Sequence, residues 1–244
     1  MQSSPSRRAE LERLGAVPFA HRGLHGGARV ENSGGAIAAA VQQGFGVELD
    51  VQLSRDGEAM VFHDEDLDRL TSGQGPVAAR TAAQLQAFPL NGCDEAMPRL
   101  SEALAMIDGR TPLLIEVKSP DRRVARLCAA VARGLASYEG PVGIMSFNPE
   151  VGAWFARHAP QTLRGLVVTE NGRRGLRGRI GRPLALWRAR ADFLAYDIRD
   201  LPSRFAGNAR GRGLPVYTWT VRSEADRARA AAHADQIIFE APPA

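Results

Sequence analysis

Short apolar runs alternate with short amphipathic ones along this chain. The plainest example is residues 46–64, where Gly46-Val47-Glu48-Leu49-Asp50-Val51 and Ala59-Met60-Val61-Phe62 flank the turn Ser54-Arg55-Asp56-Gly57. That turn is too short for a parallel crossover, so the two runs are expected to pair as an antiparallel hairpin. Counting outward from the turn places Val51 near Met60 and Glu48 near His63. Strand alternation puts Val47, Leu49 and Val51 on one face and Glu48 and Asp50 on the other.

The same reading predicts further strands over 16–20, 113–118, 142–146, 163–169, 193–197, 215–221 and 236–239. Helices are expected over 35–43, 82–87, 100–107, 123–136, 151–158, 183–191 and 224–232, with loop and helix over 202–212. Ser33 and Ser223 stand where they can cap 35–43 and 224–232, and the 100–107 helix is capped by Ser101 or begins just before it. Residues 1–14 are polar and charged and receive no element. Residues 65–98 are turn-rich, with Ser72-Gly73-Gln74-Gly75-Pro76 at their centre, and read as a small insertion. With the hairpin's return arm set aside, eight strands alternate with helices or loops across 244 residues. That is the pattern of an α/β protein, a TIM (β/α)8 barrel, which uses about 250 residues. The expectation is one domain, 1–244, with a hairpin extension at strand 2 and the insertion after it.

Composition changes this picture little. Hydrophobic residues at 44% and charged residues at 24% are ordinary globular values, and the chain is long enough to bury a core. Cys93 and Cys128 have no metal-type spacing and read as free thiols in a reducing compartment. The first 14 residues contain no apolar stretch of the secretory kind, and no run is long and apolar enough to span a membrane. A soluble cytoplasmic protein is therefore expected. The net charge of +4 favours anionic partners, and much of the excess lies in Arg164, Arg173, Arg174, Arg177, Arg179, Arg182, Arg188 and Arg190. No nucleic-acid motif accompanies these arginines, so nucleic-acid binding is not expected.

In a barrel the site lies at the C-terminal ends of the strands. His21 and Arg22 end the first strand, Glu48 and Asp50 lie in the second, and His63 and Asp64 follow on its return arm. Glu116 and Lys118 end the third strand, and Trp219 lies in the seventh. Taken alone, the hairpin fits a solvated surface ribbon as well as a site. The convergence of charges on one rim argues for the site, because buried charges are costly without partners. Adjacent carboxylates repel unless a cation sits between them, and such oxygen ligands suit Mg²⁺, Ca²⁺ or Mn²⁺. A rim of this kind suits phosphodiester cleavage. Three carboxylates hold a divalent cation, Arg22 or Lys118 helps neutralise the phosphate, and two histidines act as general acid and base. Trp219 and Phe147 are placed to pack against the organic part of a substrate.

These motifs occur in an order that resembles the glycerophosphodiester phosphodiesterase family of the phosphatidylinositol-phospholipase-C-like superfamily. The matching residues are His21-Arg22-Gly23, Glu31-Asn32-Ser33, Glu48-Leu49-Asp50-Val51, Val61-Phe62-His63-Asp64 with Leu67, Arg69, Thr71 and Gly73 after it, Met97-Pro98-Arg99-Leu100 with Glu102-Ala103-Leu104, Glu116-Val117-Lys118, Ser146-Phe147 and Trp219-Thr220-Val221. The resemblance implies that His21 and His63 are the catalytic acid-base pair. It implies that Glu48, Asp50 and Glu116 bind the metal, usually Mg²⁺ or Ca²⁺, and that Arg22 and Lys118 contact the phosphate. Phe147 and Trp219 are carried with them as substrate-binding residues, and Glu31 and Asn32 as further candidates. The insertion 65–98 would cover the glycerol end of a small glycerophosphodiester. In that family's chemistry the substrate's own hydroxyl attacks phosphorus and the cyclic product is hydrolysed, giving an alcohol and sn-glycerol 3-phosphate. Two positions depart from the family pattern: Arg222 stands where Asn is common, and Glu240 where Asp is common. A lysophospholipase D and a catalytically silent phosphate- or polyol-binding module are the alternatives. Loss of a metal ligand or histidine would favour the silent module, and none is missing. The stretch 170–190 reads either as a solvated loop and helix or as a basic flap. In the second reading Leu176, Ile180, Leu184, Leu186 and Trp187 interleave with its arginines, giving peripheral contact with anionic membrane from Arg173 to Arg190.

Overall fold

A computed structural model describes residues 4–172 and 175–240; Arg173 and Arg174 of the basic stretch lie outside them. β1 (Phe19–Ala20) pairs in parallel with both β2 (Gly46–Leu53) and β9 (Gln236–Phe239), which closes a ring. Between them run β4 (Leu113–Val117), β5 (Val142–Ser146), β6 (Leu163–Val168), β7 (Phe193–Asp197) and β8 (Val216–Val221), each parallel to its neighbours. β3 (Ala59–Val61) stands outside the ring, antiparallel to β2. The result is an α/β TIM barrel of eight parallel strands. Its outer layer is α2 (Gly34–Gln42), α4 (Leu100–Ile107), α5 (Ala125–Leu135), α6 (Pro149–His158), α7 (Leu176–Ala189), α8 (Arg204–Gly211) and α9 (Glu224–His233). α1 (Pro5–Leu14) and α3 (Ala82–Gln86) lie outside that repeat.

The strands read as apolar runs because both of their faces are covered. Val47, Leu49, Val51, Ile115 and Val117 pack outward against the helices. Leu114, Met145, Val167, Phe193, Ala195, Tyr217 and Ile238 fill the lumen instead. The lumen is tight: a Cβ on Gly165 would fall 2.3 Å from the Phe193 ring, so only glycine admits that aromatic.

Ser33 and Ser223 cap α2 and α9 as expected, accepting from the amides of Ala36 and Asp226. α4 begins just before Ser101, at Leu100, and Glu102 accepts from the Arg99 amide at 2.8 Å.

Three features differ from the sequence reading. The hairpin register is shifted by one residue: Val51 faces Val61, and Met60 faces Gln52. The cause is the turn. The Ser54 amide donates to the Glu58 carbonyl at 2.9 Å and Gly57 takes φ +93°, so three residues make the connection instead of two. β3 then stops at Val61, and His63 lies beyond the ladder instead of opposite Glu48. α7 starts at Leu176, earlier than 183, and runs through Pro183. Pro183 is exposed, and so is Arg179, the residue whose carbonyl the missing amide would have met.

The third difference is α1. Ser4 accepts from the Arg7 amide and Pro5 occupies the first turn, so the chain starts a helix within a stretch that carries only two buried side chains. Those two, Leu11 and Leu14, join Phe19, Leu114 and Tyr217 in the lumen. Arg7 binds the carbonyls of Gln161 and Thr162 and the Asp192 carboxylate, all from loops that enter the strands. α1 thus closes the lower end of the barrel. Residues after β3 fold over a separate apolar cluster that includes Phe62, Leu67, Val77, Leu85, Leu90 and Met97.

Candidate active site

Along β2 and β4 the lumen-facing positions change from apolar to charged toward the C-terminal ends. Asp50 and Glu116 are register partners on adjacent strands, and Glu48 lies two residues before Asp50 on the same face. Ligand oxygens of Glu48, Asp50 and Glu116 lie within 4.8 Å of one another, and all three residues are buried. Lys118 Nζ lies 2.8 Å from Asp50 and 2.5 Å from Glu116.

The loop after β1 supplies the next layer. The His21 amide donates to the Phe239 carbonyl at 2.9 Å, which extends the barrel pairing by one residue. Arg22 and Gly23 then take positive φ, +56° and +75°. Gly23 is the residue this turn tolerates, since a Cβ there would sit 2.7 Å from the Ala36 backbone. The turn aims the Arg22 amide at Glu48 Oε2, 3.0 Å away. The Arg22 guanidinium donates to Glu31 at 2.7 Å, and its Nε lies 3.2 Å from Asp50 without the alignment of a hydrogen bond. Asn32 is fully buried with φ +59°; its amide donates to Asp50 Oδ2 at 3.0 Å, and its carbonyl accepts from the Asp50 amide.

Each histidine is held through Nδ1. His21 Nδ1 lies 2.7 Å from Glu240, and its Nε2 lies 3.9 Å from Glu48. Arg222 grips Glu240 with two contacts, 2.6 and 2.8 Å. His63 Nδ1 lies 2.7 Å from Asp64, whose carboxylate Arg69 holds at 2.5 and 2.9 Å. Arg69 also reaches Glu31 at 2.7 Å, so the insertion is tied to the rim through charge. Gln52 donates to the carbonyls of His63 and Asp64, which fixes their backbone where β3 has ended. Phe147 and Trp219 form an edge-to-face pair 5.6 Å apart, and the Trp219 indole donates to the Ala195 carbonyl. These two take no part in the charged network.

Burial, with Asp50 and Glu116 nearby, pushes the Glu48 carboxyl well above its usual range. Burial likewise raises Glu116, against the pull of Lys118. At Asp50 burial opposes the charge, but Lys118 and Arg22 outweigh it and hold the group ionised far below the usual range. Lys118 is raised in turn: burial opposes its charge, and Asp50 and Glu116 outweigh that. Burial lowers both His21 and His63 despite their carboxylate partners. Burial works against the Glu240 charge, but the bonds from His21 and Arg222 bring it down to about 2.

The structure brings His21, Arg22, Glu31, Asn32, Glu48, Asp50, Glu116 and Lys118 into one network. His63 joins through Asp64, Arg69 and Glu31. Sequence reasoning singled out Asp64, Arg69, Arg222 and Glu240 but missed their pairing, the first two with His63 and the last two with His21. The signal for the second pair was present, since the two departures from the family pattern carry opposite charges and bond each other. His25 was missed as well. A ligand atom of it lies within 4.8 Å of those of His21 and Glu240.

A barrel whose mouth holds buried carboxylates, cations and tethered histidines has the parts of a hydrolase site. The glycerophosphoryl diester phosphodiesterase family model matches residues 21–242. The chain belongs to that family of phosphoric diester hydrolases. It is 29% identical over 228 residues to a glycerophosphodiester phosphodiesterase of Caldanaerobacter subterraneus subsp. tengcongensis, covering 87% of this chain and 89% of that one. Its fold matches a phosphodiesterase of Oleispira antarctica, solved in complex with the product sn-glycerol-3-phosphate. The TM-score is 0.81 at 24% identity, over 92% of this chain and 93% of that one. It also matches a glycerophosphodiester phosphodiesterase of Thermotoga maritima, with a TM-score of 0.73 at 22% identity over 91% and 94%.

Proposed function

We propose that the chain, acting as one catalytic unit, hydrolyses small glycerophosphodiesters to an alcohol and sn-glycerol 3-phosphate. His21 and His63 serve as the acid-base pair, and Glu48, Asp50 and Glu116 as the ligands of a divalent cation. The observation that carries this is the buried carboxylate triad, with two carboxylate-tethered histidines belonging to the same network. The triad fits a hard cation: all its donors are oxygens, and Glu48 Oε1 is buried without a hydrogen-bond partner. Mg²⁺, Ca²⁺ and Mn²⁺ all suit such ligands. The ion, when bound, supplies Lewis-acid neutralisation of the phosphate and of a coordinated hydroxyl.

The chain's own side chains do the rest. Nδ1 of each histidine is engaged by a carboxylate, which leaves Nε2 as the atom that exchanges a proton with the substrate. Burial favours the neutral form of each ring, which a base needs, and the carboxylate on Nδ1 supports the protonated form that the acid of the pair needs. Arg22 and Lys118 present fixed positive charge beside the carboxylates, where phosphate oxygens gain charge in the transition state. Phe147 and Trp219 offer an apolar wall for the organic end, and the insertion over 65–98 covers the glycerol. The O. antarctica complex supports this reading over the lysophospholipase D one, whose product would carry an acyl chain. The basic segment from Arg173 to Arg190 supplies a membrane side to the proposal, since lipid-derived diesters arise at bilayer surfaces.

The test is release of glycerol 3-phosphate from glycerophosphocholine with Mg²⁺, Ca²⁺, Mn²⁺ or EDTA, beside a His63→Ala variant. Release that needs a divalent ion and falls at least about 100-fold in the variant is the expected outcome. Release that is indifferent to EDTA, or undiminished in the variant, would refute the assignment.

A further inference from the structure

Four of the five exposed large hydrophobic side chains among the described residues stand on one helix. On α7, Leu176 is 70% exposed, Ile180 55%, Leu184 59% and Trp187 74%; the fifth, Phe147, is at the barrel mouth. At 3.6 residues per turn these four α7 positions fall within an arc of about 80°. By the same count Arg177 and Arg188 border the stripe on one side and Arg179 on the other. No acidic residue occurs from 171 to 191. Arg177 and Arg179 form no ion pair with any described residue.

The stripe is not the helix's own packing face. Gly178 and Ala189 are the buried positions of α7. α6 and α7 meet so closely that a Cβ on Gly152 would fall 2.4 Å from the Ala189 carbonyl. Arg182 reaches Glu170 at 3.3 Å and Arg188 reaches Glu150 at 2.6 Å, which fasten α7 from its middle and its C-terminal end. The apolar stripe is thereby held outward, with its N-terminal end next to the loop that leaves β6 at the mouth.

We propose that α7 docks the enzyme on an anionic bilayer surface, with Leu176, Ile180, Leu184 and Trp187 entering the interface and Arg177 and Arg179 meeting lipid phosphates. The occupant has to satisfy an apolar strip and a cationic border together, which an anionic bilayer interface does. Aliphatic side chains enter the acyl boundary, the indole sits at headgroup level, and arginine stems lie along the interface with their charge outward. A second copy of the same chain is disfavoured, because a two-fold contact would set each arginine border against its own image. The proposal rests on α7 and not on the catalytic assignment.

The test uses the intact protein and vesicles of equimolar phosphatidylcholine and phosphatidylglycerol, against vesicles of phosphatidylcholine alone. Expected are sedimentation with the anionic vesicles only, a blue shift of tryptophan emission that Trp187→Phe removes, and weakening by salt. Arg177→Ser and Arg179→Ser should each weaken binding about fivefold. Ile180→Ser with Leu184→Ser should abolish it. Glycerophosphocholine hydrolysis and thermal unfolding should be unchanged in all these variants, which separates a docking defect from misfolding and from failure of the catalytic reading. No binding to anionic vesicles, or equal binding by the serine double variant, overturns the proposal. So does binding that depends on the arginines alone and is displaced by RNA, which would mark a general polyanion site. A dimer in size-exclusion chromatography that the double variant disperses would assign the stripe to a second copy and overturn it too.

Discussion

Glu240 accepts a hydrogen bond from His21 Nδ1 and is itself clamped by Arg222, so the charge beside one proposed catalytic ring depends on a residue outside the proposed metal ligands. Gln at this position keeps an acceptor but loses the charge that steadies the ring's tautomer and supports its protonated form. Glu240→Gln should lower kcat on the order of 10- to 100-fold, with its pH profile displaced and KM little changed. A matching rise in KM with an unmoved profile would assign Glu240 a merely structural role. This pairing was hard to read in the sequence because His21 and Glu240 are 219 residues apart. Glu48, Asp50 and Glu116 were easier, since each interrupts an apolar strand and local alternation alone assigns its face.

Among the elements, the strands were legible because coverage on both faces demands near-continuous apolar runs, and 142–146, 193–197 and 236–239 match residue for residue. α1 was not legible: it buries Leu11 and Leu14 alone, so no helical period stands out from its charges. It matters to the barrel nonetheless. Leu14 is fully buried against lumen residues, and Leu14→Ala should cost about 2–5 kcal/mol in urea unfolding. Hydrolysis should be nearly unchanged at temperatures where that variant is folded, because Leu14 packs with Phe19, Leu114 and Tyr217 and not with the carboxylates. The hairpin register escaped by one residue for a different reason. Turn length depends on where the backbone closes, and Gly57 adopting φ +93° let Glu58 close it.

At the scale of the whole molecule the carboxylate triad sets stability against pH. Burial raises Glu48 and Glu116 above their usual value of 4.5, so the folded protein binds those protons more tightly than the unfolded chain. Stability from these groups is therefore present below 4.5 and is lost as pH rises through the raised values. Asp50 has the opposite sign: its contribution is present above 3.8 and is retained at neutral pH. In EDTA the melting temperature should fall as pH rises above 4.5 toward neutrality, and a saturating divalent ion should reverse the fall. Glu48→Gln should flatten the EDTA profile and blunt the response to metal. An EDTA profile equally steep in that variant would show that Glu48 is not the source.

The polar mouth and the plugged base also give α1 and Glu240 different surroundings. α1 sits at the closed end, whereas Glu240 sits at the mouth, bonded to His21. A linker or solid support joined ahead of α1 leaves the mouth open to solution. The same attachment made after Glu240 begins beside a proposed catalytic ring. Two immobilised preparations that differ only in the end attached would thus present opposite faces of the barrel to a diester arriving from solution.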